Sequence, residues 1–496
     1  MSSELRKSTV RSLAIVGSSQ AVIKIISFCT TIILARILNP EDYGIMAMAM
    51  LVTGFVGFFN EMGMSAAVVQ RQNITQRELS GVFYFAIILG VLCWLIVSIA
   101  SVWASSFFDA EKLEEIIPII GLGLILGSTT AVPSGLMRKE LRFKELSIIS
   151  IVTALVNACA TLLLAVNGFG IWSLVYGSLA SGVVGAFLVC IRCGWLPGSI
   201  SGMRDAIPIL SYGTNITATR VIWYIYSNAD KAIIGKLLGD KLLGIYSMAF
   251  TLASLPSSHI TSIVVNVSSP IFSKLQSDPE GLKISIVNFV SGIAHITFPA
   301  LFGICVVAPE LVSVVIGEKW LEVIMPLQIL CILGIWKSID PVLTQVLIST
   351  GHANKVVKYT GLCSVLIPAG IFIGSLYYGL SGAALAWIII YPLVSSYLFY
   401  LIKVSLGVSF MDLLRSIAPV MRNSFLMILA VYATRLILLE SNIPLYWVLV
   451  AEIIVGVLVY LMALSFDKNS LAHMKVFLLD LGIKPHKLGF WPLSKV

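Results

Sequence analysis

Residues 81–106 read GVFYFAIILGVLCWLIVSIASVWASS and hold no charged side chain. A helix of that length reaches roughly 39 Å, more than the ~30 Å of hydrocarbon in a bilayer. The stretch has no polar face at a period of 3.6, so one side of it cannot be meant for water. Working outward, similar apolar runs lie at 10–37, 42–59, 115–136, 146–166, 170–192, 207–236, 242–270, 284–306, 323–349, 356–376, 380–403, 416–438 and 444–465. The charges gather in the gaps. This predicts an all-α polytopic membrane protein with about fourteen transmembrane helices. The composition agrees, with 58% hydrophobic and 12% charged residues and a mean hydropathy of +0.96.

The net charge of +8 would suggest nucleic acid in a soluble chain, but its placement argues otherwise. Arg6, Lys7 and Arg11 precede the first run, and Arg71 and Arg77 follow the second. Arg138, Lys139, Arg142 and Lys144 follow the fourth, Arg192 and Arg204 the sixth. Lys274 and Lys283 follow the eighth, Lys355 and Lys358 the tenth, and Lys403 and Arg415 the twelfth. The intervening gaps are acidic or neutral, as at Glu41-Asp42 and Asp109-Ala110-Glu111. By the positive-inside rule both termini are expected in the cytoplasm, the chain being multi-pass in the inner (plasma) membrane. Nucleic acid is not an expected partner; membrane lipids are. The first run is too long and too polar in its middle for a cleavable signal, so none is expected. The eight cysteines are scattered. Cys190-Ile-Arg-Cys193 has no second pair or nearby His, so it reads as a helix end and not as a metal or redox site. Neither a phosphate-binding Gly-Lys loop nor a Ser/His/Asp or zinc pattern occurs. No cofactor and no enzymatic chemistry are expected.

The chain also repeats itself. Leu34-Ala35-Arg36-Ile37-Leu38 and Tyr43-Gly44-Ile45 recur 200 residues on as Ile234-Gly235-Lys236-Leu237-Leu238 and Leu243-Gly244-Ile245. Pro118 and Pro133 match Pro326 and Pro341, and Gly168-Phe169-Gly170 resembles Leu380-Ser381-Gly382. Two parallel six-helix repeats are therefore expected, at 1–200 and 201–405. Two further helices follow at 406–466, and the residues 467–496 form a tail. Its segment Leu471–Leu479 is amphipathic and is expected to lie on the cytoplasmic leaflet.

Ionisable residues deep in a span cost ~2.5–3.5 kcal/mol and are kept where water, a partner or a ligand meets them. The cations of this kind are Lys24, Arg220, Lys231 and Lys337; the acids are Asp230, Asp340 and Glu452. Gln20, Lys24, Ser27 and Thr31 fall on one helix face, as do Thr217, Arg220, Tyr224, Ser227 and Lys231. Asn288, Ser291 and His295 form a third stripe, and Thr251, Ser254, Ser258 and Ser262 a fourth. Read as substrate-binding, Gln20, Lys24, Arg220, Tyr224, Lys231, Asn288, His295 and Lys337 would line a wet cationic cavity. The alternatives are structural. Lys337 and Asp340 are spaced to pair with each other. Asp230 could neutralise Lys24, Lys231 could snorkel to headgroups, and His295 could simply pack.

Several short motifs carry a resemblance. Besides the repeated turn they are Gln70-Arg71, Lys139-Glu140-Leu141-Arg142-Phe143, Pro270-Ile271-Phe272-Ser273-Lys274-Leu275-Gln276 and Ile316-Gly317-Glu318-Lys319-Trp320. On these the chain resembles the multidrug/oligosaccharidyl-lipid/polysaccharide exporter superfamily. Within it, the chain is similar to Wzx-type polysaccharide flippases of the colanic-acid-exporter type. The resemblance implies a flippase for an undecaprenyl-pyrophosphate-linked oligosaccharide, working by alternating access and alongside other polysaccharide-assembly proteins. It leaves the coupling ion open between H⁺ and Na⁺. Two rival readings are a cation-coupled multidrug antiporter of the same fold and a membrane-embedded polymerase or ligase. The antiporter would want a carboxylate in the first span, where this chain has Lys24. The polymerase or ligase would want a large loop, and all loops here are short.

Overall fold

A computed structural model describes the backbone of residues 3–61, 64–71, 73–200, 203–440 and 443–480. Within these, the side chains of 3–15, 61, 203–222, 258–263, 266, 468, 469 and 480 are outside the description. Among the described residues there are helices and no strands. They are α1 Ser3–Ile37, α2 Pro40–Glu61, α3 Met64–Gln70, α4 Gln76–Phe108, α5 Leu113–Lys139, α6 Phe143–Val166 and α7 Ile171–Cys193. Then come α8 Met203–Lys274, α9 Pro279–Leu311, α10 Ile324–Ser349, α11 Ala353–Leu406, α12 Phe410–Glu440, α13 Leu445–Phe466 and α14 Lys468–Asp480. Eleven helical stretches among the described residues are long and apolar enough to cross a membrane. One of these, α11, holds two of the apolar runs, and α8 holds two more. The protein is an all-α polytopic membrane protein.

Local chemistry sets the helix ends. Thr75 opens α4 with a capping box: the Glu78 backbone N–H donates to its Oγ1 at 3.2 Å, and its own N–H donates to Glu78 Oε2 at 2.8 Å. Asp278 caps α9 by accepting from the Gly281 N–H at 3.0 Å, with Pro279 at the first helical position. The 72-residue α8 would measure roughly 108 Å if straight, far beyond a bilayer. It breaks at Gly239 (φ 83°, ψ −178°), and α11 breaks at Gly379 (φ 58°, ψ −140°). Both conformations favour glycine. Gly170, before α7, has nearly the same angles as Gly379 (φ 52°, ψ −132°). Gly170 thus resembles Gly379 in conformation, three residues before Gly382, its match in the sequence.

The repeated turn is reproduced in space. A Cβ on Gly44 would lie 1.8 Å from the Asp240 carbonyl oxygen, and one on Gly244 would lie 1.9 Å from that of Pro40. Each copy of the turn presses its glycine onto the backbone of the other. Such reciprocity is the mark of a two-fold contact, here between two segments of one chain.

Contacts divide the chain into two compact units, Met1–Gly244 and Ile245–Val496. The first half of α8 belongs to the first unit because of its partners there. Lys236 pairs with Asp109 at 2.8 Å, and Tyr224 sits on α2. Within the unit, α4 packs on α5, α6 on α7 and α1 on α6. In the second unit α9 packs on α10 and α12, and α13 packs on α12. The apolar face of α14 is spent on protein. Phe477 is fully buried, filling the space over Gly292, where a Cβ would lie 2.1 Å from its ring, and meeting Phe289 edge-on. Leu471 and Leu478 join a cluster with Val307, Met427 and Leu464. This differs from the leaflet-bound helix expected from the amphipathic pattern, which cannot say whether lipid or protein covers the apolar side. Residues 481–496 of the expected tail lie outside the described residues.

Gly44→Ala and Gly244→Ala should each destabilise the protein by about 1–3 kcal/mol, since neither opposing carbonyl can yield without moving its helix. Gly361→Ala, where a Cβ meets nothing within 4 Å, is the control and should be neutral or slightly stabilising. Thermal midpoints of the detergent-solubilised variants read the difference.

Candidate functional site: a polar cavity in the first unit

The first unit holds a cavity of about 650 Å³ between α2, α3, α5 and the first half of α8. Small residues open it. Gly54 and Gly57 of α2 and Gly123 and Gly127 of α5 line it without side chains. A Cβ on Gly123 would touch nothing within 4 Å, and one on Gly127 only Asn60 Nδ2 at 3.9 Å. The wall is otherwise rich in hydroxyls: Ser65, Ser128, Thr130 and Ser134.

Two side chains fix its shape. Asn60 is buried and donates from Nδ2 to the Leu124 carbonyl at 2.9 Å, while its Oδ1 lies 2.9 Å from Ser128 Oγ. That ties α2 to α5 at the cavity edge. Tyr224 crosses from α8, its hydroxyl 3.1 Å from the carbonyls of both Met50 and Leu51 and its ring 5.1 Å from that of Phe58. Ser65 Oγ, by contrast, is buried with no hydrogen-bond partner among the described residues. A buried hydroxyl of this kind wants a partner that none of the described residues supplies.

Electrostatics single out Arg138, which lines the cavity from the last turn of α5. Its basic neighbours are already committed. Arg71 pairs with Glu78 at 3.2 Å, and Lys139 donates to the Arg71 carbonyl at 2.6 Å. Arg142 makes a two-pronged pair with Glu145, both contacts at 2.8 Å. Arg138 is exposed, and its side chain makes no ion pair or hydrogen bond among the described residues. A guanidinium beside hydroxyls in a cavity can take a phosphate or carboxylate by two parallel bonds.

Among the described side chains expected at a substrate site, Tyr224 alone lines this cavity. Lys24 and Gln20 are exposed on α1, as are their apolar neighbours Val22 and Ile25. Lys24 makes no ion pair among the described residues. Arg220 lies on α8, with its side chain outside the description, as are those of Thr217, Ser258 and Ser262. Lys231 is half-buried, and its backbone N–H donates to the carboxylate of buried Asp230 at 2.8 Å.

The other three belong to the second unit. Lys337 sits in an aromatic cage, its Nζ 3.9 Å from the centroid of Trp387, 5.5 Å from that of Phe250 and 5.8 Å from that of Tyr391. Its neighbour Asp340 accepts from the hydroxyls of Tyr359, at 2.6 Å, and Tyr391. Asn288 Oδ1 lies 2.7 Å from His473 Nδ1, tying α9 to α14. His295 is buried, with its Nδ1 2.7 Å from the Ser291 carbonyl, and its own carbonyl accepts from Tyr460 of α13 at 3.0 Å. That stripe faces the C-terminal helices, the packing alternative for His295.

Sequence reasoning passed over Asn60, Ser65, Ser128, Ser134 and the cavity role of Arg138. The available signal was Gly123, Gly127 and Ala131 at four-residue spacing on α5, beside Ser128 and Ser134. If Tyr224 serves to brace α8 on α2, Tyr224→Phe should cost about 1 kcal/mol of stability. An unchanged thermal midpoint would free its hydroxyl for another role.

Comparison with known proteins gives this geometry its family. A family profile described as "Polysaccharide biosynthesis protein" matches residues 33–325. An "Uncharacterized membrane protein in cps region" of Klebsiella pneumoniae is 28% identical over 95% of this chain and 98% of its own. The "Lipopolysaccharide biosynthesis protein WzxC" of Escherichia coli K12 is 25% identical over 78% of this chain and 79% of its own. Among solved structures, the "Lipid II flippase MurJ" in its inward closed conformation superposes with a TM-score of 0.70. It covers 94% of this chain and 99% of its own at 14% identity, so the likeness is one of fold. With more than half its length matched by the profile, the chain belongs to the polysaccharide biosynthesis protein family of multi-pass membrane proteins.

Proposed function

We propose that this protein is a flippase. It moves an undecaprenyl-pyrophosphate-linked oligosaccharide from the cytoplasmic to the periplasmic leaflet of the inner membrane, for surface polysaccharide assembly. The role is transport and not catalysis. The observation that carries the reading is the cavity of about 650 Å³ with its hydroxyl-rich wall and uncommitted Arg138. That volume falls in the range of about 300–1,000 Å³ usual for small-ligand sites. Sugars need hydroxyl and amide partners, and a pyrophosphate needs a cation where water is scarce. An acyl-like isoprenoid tail needs only the apolar outer surface of the helices.

In this reading both termini face the cytoplasm, and Arg138 stands at the cytoplasmic mouth. The headgroup would meet it first and pass on to the deeper cations Lys24 and Arg220, by alternating exposure of the site to the two sides. Lys24 in place of a first-span carboxylate disfavours the antiporter alternative, because an organic cation would be repelled there.

Two experiments test this. In a deletion strain complemented with variants, Gly123→Leu should keep its level in the membrane yet lose most export, because it fills open space. Arg138→Lys should export partially and Arg138→Gln should match Arg138→Ala, since charge and fork geometry both count. Lys24→Ala and Arg220→Ala should each fall well below wild type. Full export by Gly123→Leu and Arg138→Gln at matched levels would overturn the cavity's role. For orientation, cysteines at positions 41, 111, 318 and 440 should label from the periplasm without permeabilising the inner membrane. Labelling only after permeabilisation would reverse the topology.

A further inference from the structure

The second unit holds a cluster of two buried carboxyls and a partly buried arginine that the transport site does not use. Glu310, the penultimate residue of α9, is 2% exposed, and its Oε1 accepts from Arg435 of α12 at 2.6 Å. Its second oxygen has no partner among the described residues. Glu452 of α13 is 1% exposed, and neither of its carboxyl oxygens has a hydrogen-bond partner among the described residues. Glu452 lies within electrostatic reach of both Glu310 and Arg435. Around them stand Val307, Val431 and Leu449, all buried.

The charge count is the argument. Two carboxylates and one guanidinium leave a net charge of −1 if all are ionised. A buried carboxylate without a single donor is too costly to persist, and the group takes up a proton instead. A protonated Glu452 also gains an O–H that can donate, and Glu310 Oε2 is an acceptor lacking a donor. We propose that Glu310, Arg435 and Glu452 form a proton-binding site in which Glu452 holds the proton while Arg435 neutralises Glu310. Arg435 is partly exposed and marks the side from which the proton exchanges. Loss of the proton would set the two carboxylates competing for one guanidinium, and α12 and α13 would have to shift to share it.

The elements packed on α13 are α9, α12, α14 and the turn Val312–Ile316. The turn holds no ionisable residue. On α9 the other titratable group toward α13 is His295, fifteen residues from Glu310 and bonded to Ser291. On α12, Arg422 is held by Asp467 at 2.9 Å near the far end of α13. On α14, His473 is bonded to Asn288.

Use of this proton to drive export rests on the proposed flippase reading; the site itself does not. The test is therefore chemical. A hydrophobic carbodiimide reacts with protonated carboxyls in apolar surroundings, and mass spectrometry of the purified full-length protein locates the adduct. Glu452 should label in the wild type and not in Glu452→Gln. Labelling should fall about tenfold per pH unit once the pH passes the carboxyl's midpoint. Glu310→Gln frees Arg435 for Glu452, which then ionises, so labelling there should be lost. Arg435→Gln should do the opposite and add labelling at Glu310. Thermal midpoints show that each variant is folded; Glu452→Gln, isosteric with the neutral acid, should match wild type. Absence of labelling at Glu452 in folded wild-type protein would overturn the proposal. So would labelling indifferent to Glu310→Gln, or protection by Na⁺ at constant pH. A protein that labels as expected but exports nothing refutes the flippase reading and leaves the proton site standing.

Discussion

The contact between the two copies of the repeated turn is the constraint from which the rest follows. In hydrocarbon the hydrophobic effect gives helices no reason to associate, so packing and backbone polarity must do it. Gly44 and Gly244 let two turns meet backbone to backbone, each against the other's carbonyl. Any side chain there would hold α2 and the bend of α8 apart. With the bend held, the first half of α8 is directed along α2, where Tyr224 reaches the carbonyls of Met50 and Leu51. The cavity between α2, α5 and α8 is the space left by that arrangement, kept open by glycines with no side chain to fill it.

The same economy governs the charges. Around the basic end of the first unit, Arg71, Lys139 and Arg142 are consumed in ion pairs and carbonyl contacts, which fix the short connections between helices. Lys337 is satisfied by rings and Asp340 by two tyrosine hydroxyls, a network that locks α10 to both halves of α11. Against that background a cation with no partner carries information. Among the described residues the Arg138 side chain gains no stability from a neighbour, and it lines the same cavity as unpartnered Ser65, which is what the proposed anionic and hydroxylated ligand would answer.

How far the sequence could be read follows from the range of the forces involved. The spans were legible because hydrophobicity at fixed length is a local property, and each of the fourteen runs lies on a helix. The recurring turn was legible at Gly44 and Gly244 because backbone contact tolerates one residue type. The register near Gly170 was not, since Gly379 matches it in angles while the neighbouring residues differ. The cavity was hidden because glycine and serine on a membrane helix read equally as packing surface and as open wall. Which of the two applies depends on a partner helix far away in sequence. Asp340 illustrates this: its nearest candidate was Lys337, three residues away, but its hydrogen bonds come from Tyr359 and Tyr391. Glu310 escaped notice because it sits at a helix end, where a charge looks inexpensive.

Depth in the membrane therefore says less about a charge than its commitment to neighbours. A mid-span cation such as Lys337 carries a large insertion cost on paper, yet three aromatic faces and a nearby carboxylate can meet that cost within the protein. A cation at a helix end is inexpensive to place, so its depth says nothing, but its lack of partners says a good deal. The useful question for each charge is which neighbour already satisfies it. Put to Arg142, Lys236 and Arg422, the question returns Glu145, Asp109 and Asp467. Put to Arg138 and Glu452, it returns no partner in hydrogen-bond contact among the described residues. Those two residues, one at the wall of a polar cavity and one sealed among apolar helices, are the ones for which the proposals above supply a partner, an anion for the first and a proton for the second.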